Sequence, residues 1–379
     1  MRRRSDPFAL KRPSVERLDS SLLISMVVLG LFGVLMIYSA TRQPLINAGY
    51  NSHYYLQKQG QFVLLGIIVM YVVSRIDYHR LEIVSTFFYV SGALALLGVF
   101  VLGTSSLGAQ RWFSLGFIQV QPSEFMMIFI IIAIATYAQR RPQGLSMRDI
   151  SRMLVMAGLP LFMIYLQPDL GTCIVLVLVT GAMLVVAGVP PRFMSTLVFG
   201  GVLGVAAAIW LGLLHQYQLQ RLTSFLNQNS TDSAVARLVY EVKNAKSAIG
   251  AGGLHGAGLF HGLQTTLGYV PENRTDFIFT AVGEQLGFLG TLFTVLLMAF
   301  IAFRFFSISR NAKDSMGQLL ALGVFVFFSF SAFENIGMTM GIMPVAGIPL
   351  PLMSYGGSAA IVFYAAGGIV LSVSRNRTT

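Results

Sequence analysis

The stretch DFIFTAVGEQLGFLGTLFTVLLMAFIAF, from Asp276 to Phe303, holds no charged residue apart from Asp276 at its mouth and Glu284 further in. An uninterrupted apolar run of about 20 residues is long enough to cross a bilayer as a helix. Just upstream, Pro271-Glu272-Asn273-Arg274-Thr275 is polar and closes a long loop. A carboxylate at the edge of a membrane helix is costly, and such groups usually mark a substrate or ion path. Capping is the competing account, since Thr275 and Asp276 are both good N-cap residues.

Working outward, the whole chain shares this character. Of its 379 residues 55% are hydrophobic and 11% charged, and its mean hydropathy is +0.71. Soluble domains carry about 45–50% apolar and about 25% charged residues, so the composition predicts a polytopic, all-α membrane protein. Ten apolar runs are visible, at 21–40, 60–75, 82–102, 122–139, 153–167, 171–188, 193–214, 276–303, 315–341 and 353–374. An even number of spans puts both termini on one side. If that side is cytoplasmic, it carries 18 of the 26 Lys and Arg residues, as the positive-inside rule requires. The net charge of +11 is thus a topology signal and no nucleic-acid footprint.

A basic tail over 1–20 without an apolar segment and cleavage site predicts no removed signal peptide. No linker or fixed-period repeat divides the chain, so one membrane domain is expected. Cys173 is the only cysteine, which excludes an intrachain disulfide. Neither a Walker A motif nor a His/Cys cluster is present. The long segment 215–275 is expected outside the cytoplasm, with an amphipathic helix from Ser233 to Ile249 capped near Asp232. The glycine-rich turn Gly250 to Gly258 follows. That turn has no preceding strand, so it is no dinucleotide fingerprint, and a flexible surface loop explains it equally well.

The acids are few enough to audit. In this topology Glu124, Asp169, Glu272 and Asp276 fall near the outer ends of their helices, whereas Glu284 and Glu334 lie deeper. Glu124 could place charge in a first helical turn, and Asp169 could cap a helix. Glu284 is expected to bond a neighbouring helix, and Glu334 with Asn335 to form an intramembrane polar pair. Lys243, Lys246 and Arg274 stand near Asp276 in the loop, and such groups with glycine backbone suit phosphate, while a carboxylate can take a hydroxyl proton. Trp112, beside Arg111, could be an interfacial anchor or line a groove for a sugar.

These pieces fall in one order: Tyr38-Ser39-Ala40-Thr41, Gly108-Ala109-Gln110-Arg111-Trp112, Gln121-Pro122-Ser123-Glu124, Gln167 to Thr172, Gly250 to Leu254, Pro271 to Glu284, and Pro349 to Ser358 with Ser354. In that order they resemble the SEDS family, the RodA/FtsW/SpoVE group of peptidoglycan glycosyltransferases, over nearly the whole chain. The lead-in Pro344-Val345-Ala346-Gly347-Ile348 is more like the elongation branch than the division branch. Two positions depart: Met127 stands where the family usually has Lys, and Arg274 where it often has His. The resemblance implies that the enzyme joins lipid II units at the outer face of the bacterial cytoplasmic membrane and releases undecaprenyl pyrophosphate. It implies that Asp276 is the essential residue, a candidate general base on the acceptor hydroxyl. Arg111, Lys243, Lys246 and Arg274 would then meet the diphosphate, with a divalent cation, Mg or Mn, as an optional helper. A class B penicillin-binding protein and the elongation machinery are the partners it implies. A lipid II flippase or a scaffold for that partner stays open at this point.

Overall fold

The computed structural model describes residues 18–376 except 107–108, 115, 117, 142–143, 213–215, 229–231 and 233–234. Most of the basic tail, Gly108 and the expected helix start at Ser233 lie outside the described residues. In chain order the elements are α1 (Ser20–Asn47), α2 (Tyr54–Arg75), a 3-10 turn (Tyr78–Arg80), α3 (Leu81–Leu102), β1 (Thr104–Ser106), β2 (Ala109–Ser114), β3 (Gln119–Val120), α4 (Pro122–Gln139), α5 (Met147–Leu166), α6 (Leu170–Val186) and α7 (Pro191–Trp210). Then follow α8 (Gln216–Leu226), α9 (Ala236–Ala251), α10 (Leu263–Thr266), α11 (Ile278–Arg310), α12 (Ser315–Thr339) and α13 (Gly357–Arg375). Among the described residues nine helices are long and apolar enough to cross a membrane, and α6, with 17 residues, is a shorter apolar tenth. Each of the ten apolar runs becomes one of these helices.

The core sits where apolar character runs all round a helix. Helix α12 packs against α4, α6, α11 and α13, and α13 lies along α2. The fully buried Tyr364 of α13 is received by Gly30 and Gly66, where an added Cβ would lie 1.9 and 2.3 Å from the ring or its hydroxyl. Small residues of this kind let membrane helices approach closely. Helix α7, by contrast, buries no residue.

Three local features depart from the sequence expectation. A small antiparallel sheet follows α3, pairing Thr104 with Trp112 and Phe113 with Val120. The amphipathic helix begins at Ala236 with Val235 as its cap, not at Asp232, and α8 precedes it. Helix α11 is broken at Gly287, where φ is 65°.

The glycine-rich turn repairs that break. Ala257 and Gly258 N–H groups donate to the Glu284 and Gln285 carbonyls at 2.9 and 3.0 Å, and Phe288 and Leu289 N–H groups donate to Gly253 and Leu254 at 2.8 and 3.2 Å. Irregular backbone at membrane depth survives only when protein or water satisfies its polar groups, so this turn is a packed partner of α11. An added Cβ at Gly256, φ +78°, would stand 2.2 Å from the Gln285 carbonyl oxygen. Gly256→Ala should therefore cost more than the about 1–3 kcal/mol of a strained φ alone, and a thermal melt of the purified protein would register it. Glu284 works at the same junction: its carboxylate accepts from Gln264 N–H (2.6 Å), Thr265 N–H (2.9 Å) and Thr265 Oγ1. The neighbouring helix it bonds, as expected, is the short loop helix α10. Glu284→Ala should strand these donors at about 1–3 kcal/mol each, seen as faster proteolysis within 255–270.

Candidate active site

Two loops meet at the mouth of α11. The Pro271–Asp276 turn is pinned to the segment before α13: Ser354 Oγ donates to Thr275 O and accepts from Leu350 N–H at 2.8 Å, and Tyr355 N–H donates to Arg274 O at 2.8 Å. From α12, Asn335 Nδ2 donates to Asp276 O at 2.9 Å and to Ile348 O at 2.7 Å. Asn335 thus serves backbone and is not paired with Glu334. Gln59 of α2, fully buried, ties the same segment through Ser354 O and Gly356 N–H at 3.2 and 3.3 Å. The backbone from Arg274 to Asp276 is held from α12 and from the segment before α13, while α11 starts only at Ile278 with Phe277 as its cap and no side-chain cap bond. Capping does not account for Asp276.

Its carboxylate faces an arginine the sequence reading did not select. A Cβ added to Gly347, φ +72°, would lie 3.4 Å from Asp276 Oδ2 and 3.5 and 3.6 Å from the two terminal nitrogens of Arg221 on α8. Asp276 and Arg221 therefore flank one point, and a glycine leaves that point open. Part of the Asp276 side chain reaches solvent, yet protein crowds the carboxyl, and burial pushes its pKa up to about 6 against the pull of Arg221. Burial lowers the pKa of Arg221, opposed chiefly by Asp276. No signal in Gln218-Leu219-Gln220-Arg221-Leu222 could have singled Arg221 out; only the fold brings it here.

A second acid–arginine pair stands beside the first. Arg111, on β2, donates from Nε to Gln167 O at 2.9 Å and from Nη2 to Pro168 O, with Asp169 at 3.8 Å. Asp169 caps α6 by accepting from Thr172 N–H at 3.3 Å and receives Gln121 Nε2 at 3.1 Å. The Arg111 charge reaches both Asp276 and Arg221. Glu124 lies in the first turn of α4 and faces a cavity of about 40 Å³ lined by Gln121, Met127, Thr172, Ser331 and Gly347 among others. One Glu124 oxygen and the Ser331 hydroxyl find no protein partner there. A water needs about 10–15 Å³ of such space, so about three fit.

The remaining candidates are spread around this centre. Glu272 is at φ 52° in the turn and accepts from Thr275 Oγ1 at 3.1 Å. Arg274 points onto the Tyr55 ring, 4.8 Å from its centroid. Lys246 Nζ donates to Gln228 at 2.6 Å, and Lys243 is exposed on α9. Trp112 is half-buried in β2, and Thr104 Oγ1 donates to its carbonyl at 3.1 Å. Ser354 spends its hydroxyl on backbone.

The helical membrane bundle thus brings together a desolvated carboxylate, a nearby arginine and a second acid–arginine pair, groups of the kinds that can take a proton and meet an anion. The chain belongs to the FtsW/RodA/SpoVE family, whose model, described as cell cycle protein, matches residues 19–379. It is 35% identical over 363 residues to the peptidoglycan glycosyltransferase MrdB of Escherichia coli K12, covering 95% of this chain and 94% of that one. It is 33% identical to a probable peptidoglycan glycosyltransferase FtsW of Haemophilus influenzae, covering 94% and 90%. Among solved structures, a chain from work on the coordination of polymerization and crosslinking by a peptidoglycan synthase complex aligns with TM-score 0.78 and 26% identity, covering 95% and 98%. Thermus thermophilus RodA aligns in fold with TM-score 0.70, covering 96% and 98%.

Proposed function

We propose that the chain is a peptidoglycan glycosyltransferase that polymerises lipid II during cell-wall elongation, with Asp276 as the general base. The observation that carries this is a backbone-anchored carboxylate facing Arg221 across the open point at Gly347. In the reaction, the 4-hydroxyl oxygen of the acceptor GlcNAc attacks the anomeric carbon of the donor, and its proton passes to Asp276. The bond from that carbon to the diphosphate breaks, and its electron pair leaves with undecaprenyl pyrophosphate. Attack opposite the leaving group turns an α donor into a β-1,4 product. Arg221 and Arg111 sit where they can offset the diphosphate charge, which a preorganised cation does well away from bulk water.

Among the described residues no three His, Cys, Asp or Glu side chains gather into a metal cage. A divalent cation, Mg or Mn, would offset charge on the substrate diphosphate, and no step here depends on it. The basic residues support a cytoplasmic location for both termini, and with it a site at the outer face of the bacterial inner membrane. A class B penicillin-binding protein would crosslink the strands made there. The test is purified protein in liposomes with labelled lipid II, with and without that partner. Glycan polymer from the chain is the expected result, and lipid II translocation without polymer would overturn it in favour of a transporter.

A further inference from the structure

An aromatic shelf adjoins the Pro271–Asp276 turn at Arg274, and the chemistry above does not use it. Tyr54 and Tyr55 open α2, and their rings meet edge to face at 5.1 Å; Tyr55 meets Tyr355 in the same way at 5.0 Å. Arg274 lies 4.8 Å above the Tyr55 ring, and the Tyr355 N–H is bonded to the Arg274 carbonyl at 2.8 Å. Behind the shelf, Gln59 locks α2 to the Tyr355 segment. Tyr54 is 47% exposed, and Tyr55, Tyr355 and Arg274 are all half-buried. Burial pushes the Tyr355 phenol up to about 12, which keeps it a neutral hydrogen-bond donor.

Interfacial tyrosines ordinarily stand singly at headgroup level as anchors. These three instead converge on one another and on a guanidinium, and Arg274 is only two residues from Asp276. Two residues span at most about 7 Å of chain. Ligand sites combine aromatic surface with a few oriented polar groups, and a pyranose ring offers the matching apolar C–H face edged by hydroxyls. We propose that Tyr54, Tyr55, Tyr355 and Arg274 form a saccharide subsite that holds the glycan strand beside Asp276. The rings take the sugar face, and Arg274 and the phenols bond its hydroxyls and acetamido groups. A polymerase that keeps its strand here extends it repeatedly before letting go.

This rests on the polymerase reading, so the test separates the two. Binding of a lipid-free GlcNAc tetramer to the full-length protein is followed by saturation-transfer NMR, alongside product lengths on gels. Tyr54→Ala and Arg274→Ala should weaken oligosaccharide binding at least 10-fold and shift the polymer to short chains. Tyr55→Phe, which keeps the ring but loses one phenol, should weaken binding less than either alanine variant, and Asp276→Ala, which lacks only the base, should retain it. Wild-type binding and chain length in both alanine variants would overturn the subsite while leaving polymerisation intact. Tetramer binding by a wild-type protein that makes no polymer would instead sink the polymerase reading. The exposed position of Tyr54 guards against a folding artefact, which a melt would reveal.

Discussion

Purified Asp276→Asn protein should make no glycan polymer from lipid II, while its melting temperature should stay at or above that of the parent. The amide is nearly the same size but cannot accept a proton at neutral pH, so the loss should be at least the about 10²–10⁴-fold that a general base supplies. The stability half follows from the sign of the shift. Burial raises Asp276 to about 6, above the ordinary aspartate value of about 3.9, so ionising it at neutral pH works against folding, and asparagine relieves that cost. The anchoring bonds from Asn335 and Ser354 fall on the backbone carbonyls of Asp276 and Thr275 and survive the change. Near-normal polymer from Asp276→Asn or Asp276→Ala would remove Asp276 from the mechanism.

The frame was legible in the sequence because bilayer thickness leaves little freedom: a run of about 20 apolar residues has one economical structure. Asp169 was legible for a related reason, since Pro168-Asp169 before an apolar run is a local helix-start signal. What depended on distant partners was not. The break of α11 needed Gly287 and the Gly250–Gly258 turn to satisfy each other's backbone, a pairing no periodicity records. The three-stranded sheet β1-β2-β3 hid in a short polar connection. Asp276 looked like a cap because its neighbours suit one, but the turn at Glu272 delays the helix until Ile278. Arg274 and Lys246 seemed near Asp276 along the chain, yet side-chain direction sends one to Tyr55 and the other to Gln228.

Arg221→Gln should move the ascending limb of the pH–activity profile upward as well as lower the rate. In the parent, activity should rise with pH through about 6 as Asp276 ionises. Burial, which disfavours the carboxylate, is the largest influence on that position; Arg221 opposes it, and the charges of Glu272 and Glu241 add to it. Deleting the cation leaves burial opposed only by the more distant charge of Arg111, so the base stays protonated to higher pH. A neutral residue there also removes one group that offsets charge on the departing diphosphate, an effect of the kind worth about 2.7–4 kcal/mol at oxyanion sites. The rate at optimal pH should therefore fall about 10²-fold or more. Arg221→Lys separates the two contributions, since it keeps the charge but loses the planar fork: the limb should return toward its parental position with the rate only partly restored. A purely structural role for Arg221 would lower the rate of both variants and leave the limb unmoved, and that result would break the link between Arg221 and the base.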